Sequence, residues 1–256
     1  MWQGRRPPTP SAEEIQRAAR AVVKVLAEHG FQCCLIGSTA AAMYGAENRN
    51  PRDVDFVILP SPSQTNPETN SIDIEELKHL ITENNSSDFY LTPSLNPTAT
   101  YQILHYILTP QFPTPSLPLH RECKVDLLLP ANIGLPPYIP PEKIHYEEYF
   151  PDIPLAPFLL LLLAKVRAWA EHRIDERRRM NERVKYDESD IRELLDLGVN
   201  EYMCRLGELE SWAGENWVMD VTREYVRPVV ERFPRTGRMW EEMGFVVKSE
   251  WSLPPV

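Results

Sequence analysis

The stretch that decides the fold is Asn50–Pro60, NPRDVDFVILP, an apolar strand pattern that carries two carboxylates. Side chains two residues apart on a strand leave from the same face, so Asp53 and Asp55 are predicted to point into one small volume. Two carboxylates that close repel each other at neutral pH, and a divalent cation between them is the simplest remedy. The stretch therefore predicts a strand that presents a site for a divalent metal.

Upstream of this strand, the pattern predicts a helix, a strand and a short second helix. Ser11 opens a capping box that precedes apolar residues at helical spacing, so the first helix is predicted from Ser11 to about His29. FQCCLIG is a short apolar strand, and the next helix begins at Gly37 and Ser38. Backbone N–H groups at a helix start attract phosphate, which makes this turn a candidate phosphate cradle; an ordinary turn with a helix cap is the alternative.

Downstream, one helix and two strands are predicted before the chain changes character. SIDIEELKHLITEN is an amphipathic helix pattern capped by Ser71, and TYQILHYILT is a strand pattern. CKVDLLLP is a further apolar strand with a single acid, Asp126. A lone buried acid needs a partner. If this strand neighbours the first acidic strand, the partner is a metal, and Asp126 completes a two-metal site with Asp53 and Asp55. A lysine or arginine partner is the alternative to metal.

Changes in composition divide the chain into a tail and two domains. Residues 1–10 are predicted as a disordered tail, residues 11–150 as an α/β domain with an insertion at about 60–100, and residues 151–256 as a helical domain. The long apolar run Leu155–Ala164 is about half of what a bilayer crossing needs, so it predicts a buried helix.

Composition and charge narrow the class of protein. The 256 residues are 43% apolar and carry a formal charge of -10, which argues against a broad non-specific nucleic-acid surface. The four cysteines have no framework spacing and are predicted to be reduced thiols. No signal peptide is visible, and no membrane association is expected. These features indicate an intracellular, cytoplasmic protein.

Three motifs in fixed order resemble the nucleotidyltransferase superfamily related to DNA polymerase beta. The superfamily pattern hG[GS], Dh[DE]h and h[DE]h corresponds to IGS at Ile36–Ser38, DVDF at Asp53–Phe56 and VDL at Val125–Leu127. Within the superfamily, the chain is most similar to the minimal nucleotidyltransferase and AbiEii-type toxin branch. The resemblance implies an α/β (α+β) fold, with a small mixed β-sheet flanked by helices and an all-helical C-terminal domain.

The resemblance also implies an enzyme, its cofactor and the roles of five residues. The activity is Mg²⁺-dependent transfer of a nucleoside monophosphate from an NTP such as ATP to an acceptor hydroxyl, with Mn²⁺ as a possible substitute for Mg²⁺. Asp53, Asp55 and Asp126 would hold the metals and carry the catalysis, and Gly37 with Ser38 would grip the phosphates. The acceptor, whether small molecule, RNA end or protein hydroxyl, is not specified by the sequence, and neither is the oligomeric state.

Two lysines in the helical half extend the resemblance. Branch members carry a lysine on the first long helix and a later K-D-x-x-D-like segment, which correspond here to Lys165 in LLAKVRAWAEHR and Lys185 in KYDESDIRELL. The resemblance makes both lysines candidate nucleotide-binding residues. There is one alternative for each lysine. Lys165 could reach out to solvent, and Lys185 could form a solvated helix start together with Asp190.

Two other classes of function stay open. The first is a catalytically silent module that binds a nucleotide or a protein on the same fold. The second is a domain without a nucleotide, in which Asp53 and Asp55 form ion pairs with Arg49 or Arg52.

Overall fold

The computed structural model describes residues 9–59, 73–94, 96, 98–108, 121–175 and 178–247, without the side chains of 178–182. It has a mixed α/β fold, in which seven strands of the described chain form one mixed sheet. The strands are β1 (Gln32–Ile36), β2 (Asp53–Leu59), β3 (Phe89–Pro93), β4 (Gln102–Ile107), β5 (Glu122–Leu128), β6 (His145–Glu147) and β7 (Phe150–Leu155). The α-helices are α1 (Ala12–Glu28), α2 (Gly37–Met43), α3 (Ile74–Asn84), α4 (Phe158–Ile174), α5 (Arg178–Asn200), α6 (Leu206–Ala213), α7 (Glu215–Val221), α8 (Arg227–Arg232) and α9 (Gly237–Glu242).

The first helix begins where its capping box predicts. The Ser11 side chain accepts a hydrogen bond from the Glu14 N–H at 3.2 Å, and the Glu14 carboxylate accepts one from the Ser11 N–H at 2.7 Å. Glu14 also pairs with Arg121, whose side chain is only 8% exposed. One glutamate therefore caps α1 and neutralises a buried arginine, so it anchors the helix beside the strand that follows Arg121.

The sheet runs in the order β3-β4-β5-β2-β1-β7-β6. Strands β2 and β5 are parallel neighbours, whereas β1 with β2, β3 with β4 and β4 with β5 are antiparallel. The condition for a joint site, that the two acidic strands are neighbours, is therefore met. Parallel neighbours require a long crossover, and here it contains α3 and the hairpin of β3 and β4.

Local details differ from the predictions at two places. The third helix begins at Ile74 and is capped by Asp73, whose carboxylate accepts from two backbone N–H groups; the predicted cap Ser71 lies outside the described residues. Strands also occur where none was predicted, in β3, β6 and β7. Two prolines interrupt β7, Pro93 ends the five-residue β3, and β6 has only three residues, so these strands lack a clear alternating pattern.

The chain divides into two compact units, each built from separate stretches. The first contains the described residues of Met1–Thr39, Asn50–Pro130 and Tyr146–Pro154, and the second those of Ala40–Arg49, Ala131–His145 and Leu155–Val256. The predicted domain boundary near residue 150 stays a prediction. Residues 1–8 of the predicted tail and 60–72 of the predicted insertion lie outside the described residues.

The second unit has a core of leucines and two tryptophans. Leu160, Leu161 and Leu162 are fully buried, so the apolar run forms a buried helix as predicted, but only from Phe158 on. Its first residue, Leu155, is the last residue of β7. Trp169 and Trp240 are also fully buried in this unit. None of the helices in the described part of the chain is long and apolar enough to cross a membrane.

Candidate active site

The three predicted carboxylates lie on one face of two neighbouring strands of the first unit. Asp55 on β2 is the register partner of Asp126 on β5, and Asp53 is two residues before Asp55 on the same strand. Val54, between the two acids of β2, and Phe56, directly after them, are fully buried, whereas all three acids are half-buried. The alternation predicted from the sequence therefore turns the acids away from the core and places them together.

Gly37 lies against this cluster at the start of α2. Its φ is +77°, a left-handed conformation that side chains other than glycine rarely adopt. A Cβ atom on this residue would lie 2.1 Å from Oδ2 of Asp55, which is far closer than two non-bonded atoms can approach. Only a glycine therefore allows the turn between β1 and α2 to come this close to the carboxylate.

The start of α2 is tied to the acidic strand by a side-chain hydrogen bond. The Thr39 hydroxyl donates to the Asp53 carbonyl oxygen at 2.6 Å. Ser38 is 7% exposed and Thr39 is 1% exposed, so this turn is packed into the first unit. The structure thus brings the predicted Gly37 and Ser38 together with the predicted carboxylates.

Lys124 is a neighbour of this cluster that the sequence analysis did not single out. It contacts the Asp126 carboxylate, and in register it lies opposite Asp53 on β2 and opposite His105 on β4. The lysine partner considered for Asp126 is therefore present. The signal for it was available, because Glu122, Lys124 and Asp126 alternate with buried residues along β5.

His105 continues the same face of the sheet. Its ring stacks on Tyr90 with centroids 5.1 Å apart, and its Nε2 lies 3.0 Å from the Thr92 hydroxyl. Burial lowers the pKa of His105, and Lys124 adds to this effect, while the negative charge of Glu122 opposes it. The imidazole is therefore held neutral at neutral pH.

The donor set suits a metal that also takes ligands from its substrate. Within the described residues, no three His, Cys, Asp or Glu side chains are arranged to hold a metal ion by themselves. Mg²⁺ seldom uses an all-protein cage and instead combines one or two carboxylates with substrate phosphates and water. The carboxylates on β2 and β5, with the backbone of Gly37 directly against Asp55, fit that mode of binding.

A second carboxylate cluster lies in the second unit and contains Lys165. The Lys165 amino group is 2.7 Å from Oδ2 of Asp190, and the Arg49 Nη2 is 2.7 Å from the same oxygen. Asn48 donates to the other oxygen, also at 2.7 Å. Burial acts to raise the pKa of Asp190, but the hydrogen bonds from Arg49 and the charge of Lys165 outweigh it and lower the pKa.

These contacts correct two alternatives for the helical half. Lys165 is 7% exposed, so the alternative in which it reaches solvent is wrong. Asp190 is 2% exposed, so it is not part of a solvated helix start. Lys185 is exposed, as that alternative expected, and it lies within α5 rather than at its beginning. Neither lysine belongs to the first unit, which holds the three carboxylates.

The same buried cluster contains a second acid and a histidine that the sequence analysis missed. His172 Nδ1 lies 2.6 Å from Oδ2 of Asp187, which is 6% exposed. Burial raises the pKa of Asp187, against the opposing effect of His172. The spacing carried the signal, because Asp187 and Asp190 share one face of α5, and Lys165 and His172, seven residues apart, share one face of α4.

Comparison with known proteins shows which fold the chain has. No family model matches the sequence, and no curated protein matches it. An antigenic nucleotidyltransferase-like protein from Paracoccidioides brasiliensis has a similar structure, with a TM-score of 0.63 over 92% of this chain and 95% of that chain, at 14% sequence identity. This chain has a nucleotidyltransferase-like fold.

Two further solved structures match with low scores. JHP933 from Helicobacter pylori matches with a TM-score of 0.39 and 13% identity, over 92% of this chain and 95% of that chain. A putative nucleotidyltransferase from H. pylori matches with a TM-score of 0.36 and 12% identity, over 89% of this chain and 98% of that chain. Scores this low add nothing to the argument. The predicted fold class, a nucleotidyltransferase fold with a mixed sheet, is confirmed by the sheet and by the first match.

Proposed function

We propose that this protein is a Mg²⁺-dependent nucleotidyltransferase that transfers a nucleoside monophosphate from an NTP to an acceptor hydroxyl. One observation carries the proposal: β2 and β5 are parallel neighbours whose register sets Asp55 opposite Asp126, beside a glycine turn that lies against Asp55. Mg²⁺ takes carboxylate ligands from proteins, and backbone N–H groups at the start of a helix attract phosphate, so this arrangement supports a site for Mg²⁺ and a nucleotide. The nucleotidyltransferase-like fold supports the same class of activity.

In the proposed reaction, the acceptor oxygen forms a bond to the α-phosphorus of the NTP. The bond between that phosphorus and the bridging oxygen breaks, and pyrophosphate leaves with the bonding electron pair. Asp126 lies next to the proposed position of the acceptor hydroxyl and takes its proton. Bound Mg²⁺ would make that hydroxyl more acidic and stabilise the charge that develops on the leaving pyrophosphate.

The protein residues act mainly by positioning and by their charge. Asp53 and Asp55 hold the metal, and the backbone at Gly37 and Ser38 binds the terminal phosphates. Lys124 keeps Asp126 paired before substrate binds, which reduces the repulsion among the three carboxylates. Binding of the nucleotide by Lys165 and Lys185 stays a prediction.

The contact between Lys124 and Asp126 also favours a second candidate. If Lys124 stayed bound to Asp126 permanently, Asp126 could not take part in catalysis. The protein would then be a module that binds a nucleotide, or a protein, without catalysing transfer. The two candidates differ in one property, because only the enzyme releases pyrophosphate.

A thermal-shift and pyrophosphate-release assay separates these possibilities. The four NTPs are tested with and without Mg²⁺ on the wild type and on the Asp53→Asn/Asp55→Asn variant, because a ligand of the native state raises its melting temperature. The enzyme predicts a Mg²⁺-dependent shift and pyrophosphate release, both absent from the variant. A shift without pyrophosphate release across many acceptors would favour the silent module that binds a nucleotide. No shift with any NTP would contradict the enzyme and favour a module that binds a protein.

A further inference from the structure

The second unit contains a pocket that the proposed reaction does not use. The pocket has a volume of about 210 Å³ and lies among the C-terminal end of α2, the loop before β6, the start of α4 and the segment that follows α5. Pockets for drug-sized ligands have volumes of roughly 300 to 1,000 Å³. This pocket is therefore suited to a single ring system rather than to a nucleoside triphosphate.

Aromatic rings form much of the pocket wall. Tyr44 meets Phe158 edge-on at 5.0 Å between centroids, and Phe158 stacks with Tyr202 at 4.6 Å. The Tyr44 hydroxyl donates to the Ala156 carbonyl at 2.7 Å, and the Tyr202 hydroxyl donates to the Tyr44 carbonyl at 3.1 Å. Because both hydroxyl hydrogens are committed to the backbone, these rings offer a ligand mainly their apolar surfaces, to which Trp212 adds a half-buried indole.

The rim of the pocket is positively charged, in contrast to the chain as a whole. Lys143 and Arg205 are exposed lining residues, and Glu208 is the acidic one, whereas the whole chain has a formal charge of -10. One Arg205 nitrogen donates to the carbonyls of Met203 and Cys204, at 3.2 and 2.9 Å. These bonds orient the guanidinium group, which has further N–H donors for an anion.

The loop that carries Arg205 has an unusual backbone conformation. Met203 has φ +47°, the one positive value that a residue other than glycine adopts in the described part of the chain. Strain of this kind clusters at binding and catalytic sites, where the surrounding structure maintains it. Here it lies between two lining residues, Tyr202 and Cys204.

Cys204 contributes no negative charge to the pocket. Burial, with the nearby Glu208 as a smaller cause, raises the pKa of its thiol to about 11. The group is therefore neutral at physiological pH and does not repel an anion, and it is a poor nucleophile. The pocket thus combines aromatic walls with two cations and one acid.

We propose that this pocket is a binding site for a small planar anion, consisting of one aromatic ring with a carboxylate or phosphate group. The ring packs against Tyr202 and Trp212, and the anionic group meets Lys143 and Arg205. Glu208 accepts a hydrogen bond from a ring substituent such as a hydroxyl. The proposal does not depend on nucleotidyl transfer, because none of these residues belongs to the carboxylate cluster.

Isothermal titration calorimetry with four probes tests the chemistry of the ligand. The probes are 4-hydroxybenzoate, phenyl phosphate, the neutral 4-hydroxybenzamide and the non-aromatic cyclohexanecarboxylate. At least one aromatic anion is expected to bind saturably, and the neutral and non-aromatic probes at least about tenfold more weakly. Whichever of the two aromatic anions binds more tightly shows whether the site prefers a carboxylate or a phosphate group. Absence of saturable binding by both aromatic anions at millimolar concentration, or equal binding of the neutral probe, would overturn the proposal.

Three variants and a matched control test the location. Lys143→Gln, Arg205→Gln and Trp212→Leu are each expected to weaken binding about tenfold, whereas Arg238→Gln should not change it, because Arg238 is 87% exposed and pairs with Glu242. Lys143→Gln keeps the test decisive if Arg205→Gln disturbs its loop. Unchanged affinity in both Lys143→Gln and Trp212→Leu would place the binding elsewhere and contradict the proposal.

The Asp55→Asn variant separates this site from the proposed active site. It should bind the aromatic anion with wild-type affinity even though it no longer responds to Mg²⁺ and NTP. Loss of anion binding in a folded Asp55→Asn variant would count against an independent site.

Discussion

Two pairs of aspartates, one in each unit, are each close together in the sequence but differ in their surroundings. Asp53 and Asp55 are half-buried on a strand, beside a glycine turn. Asp187 and Asp190 are buried on a helix and bound to basic side chains. A carboxylate whose oxygens are already held by arginine, lysine and asparagine has little capacity to bind a metal. The two pairs therefore differ in their burial and in the basic side chains bound to them, and both differences act against metal binding by the buried pair.

The largest expected effect is on the rate of turnover and comes from the half-buried pair, Asp53 and Asp55. Asp55→Asn removes the charge that holds the metal while keeping the shape of the side chain, so pyrophosphate release should fall at least about 10³-fold, or ~4 kcal/mol of activation free energy. Steady-state pyrophosphate release measures it. Asp152→Asn is the control, because Asp152 is 53% exposed and pairs with Arg20 at 2.6 Å. An unchanged rate in Asp55→Asn would show that Asp55 has no role in catalysis.

The next largest effect is on stability and comes from the buried pair. Asp190→Ala deprives the buried Lys165 and the partly buried Arg49 of the carboxylate that they share, so the free energy of unfolding should fall by about 3 to 5 kcal/mol. Urea unfolding measures this change. The control Asp53→Ala should change stability by no more than about 0.5 kcal/mol, as half-exposed positions usually do. Equal losses in the two variants would break the distinction between the pairs.

A smaller effect is expected from the close approach of Gly37 to Asp55. Gly37→Ala adds left-handed strain and a steric clash with the carboxylate, so unfolding should be easier by about 1 to 3 kcal/mol, and the shift with Mg²⁺ and NTP should disappear. Gly30→Ala is a matched control, because Gly30 has the same φ of +77° and a Cβ added there would meet no atom within 4 Å. If both variants lost the nucleotide shift equally, the approach to Asp55 would not be the cause.

The smallest effect is a dependence of stability on pH, from His105 on the same face of the sheet as the half-buried pair. The pKa of His105 is lowered from 6.5 in the folded state, chiefly by burial, so the unfolded chain binds more protons between the two pKa values. The stabilisation should therefore be fully present above pH 6.5. The free energy of unfolding should decrease as the pH falls below 6.5, with a slope under about 1.4 kcal/mol per pH unit. Urea unfolding between pH 7.5 and 5.5 measures the slope, which should be shallower in His105→Gln. An identical slope in the variant would show that His105 is not the titrating group.

Local patterns in the sequence were sufficient for the elements around the candidate site. The capping box at Ser11, the alternation of acids with buried residues in β2, and the glycine at the start of α2 each depend on neighbours within a few residues. Such features have a fixed period or a fixed local geometry, so a linear pattern is enough to recognise them. The fold class, by contrast, came from the resemblance to the nucleotidyltransferase superfamily, and the grouping of the three acids depended on the pairing of β2 with β5.

Tertiary structure decided what each charged group does. Lys165 and Asp190 were assigned to solvent among the alternatives, but they pair in the interior of the second unit, because burial depends on which helix faces pack together. Lys124 reaches Asp126 through the side-chain geometry of β5, and Asp126 meets Asp55 only because strands some 70 residues apart pair in one register. The sequence by itself determined which residues share a face of an element. Which elements became neighbours was decided by long-range packing, which no local pattern records.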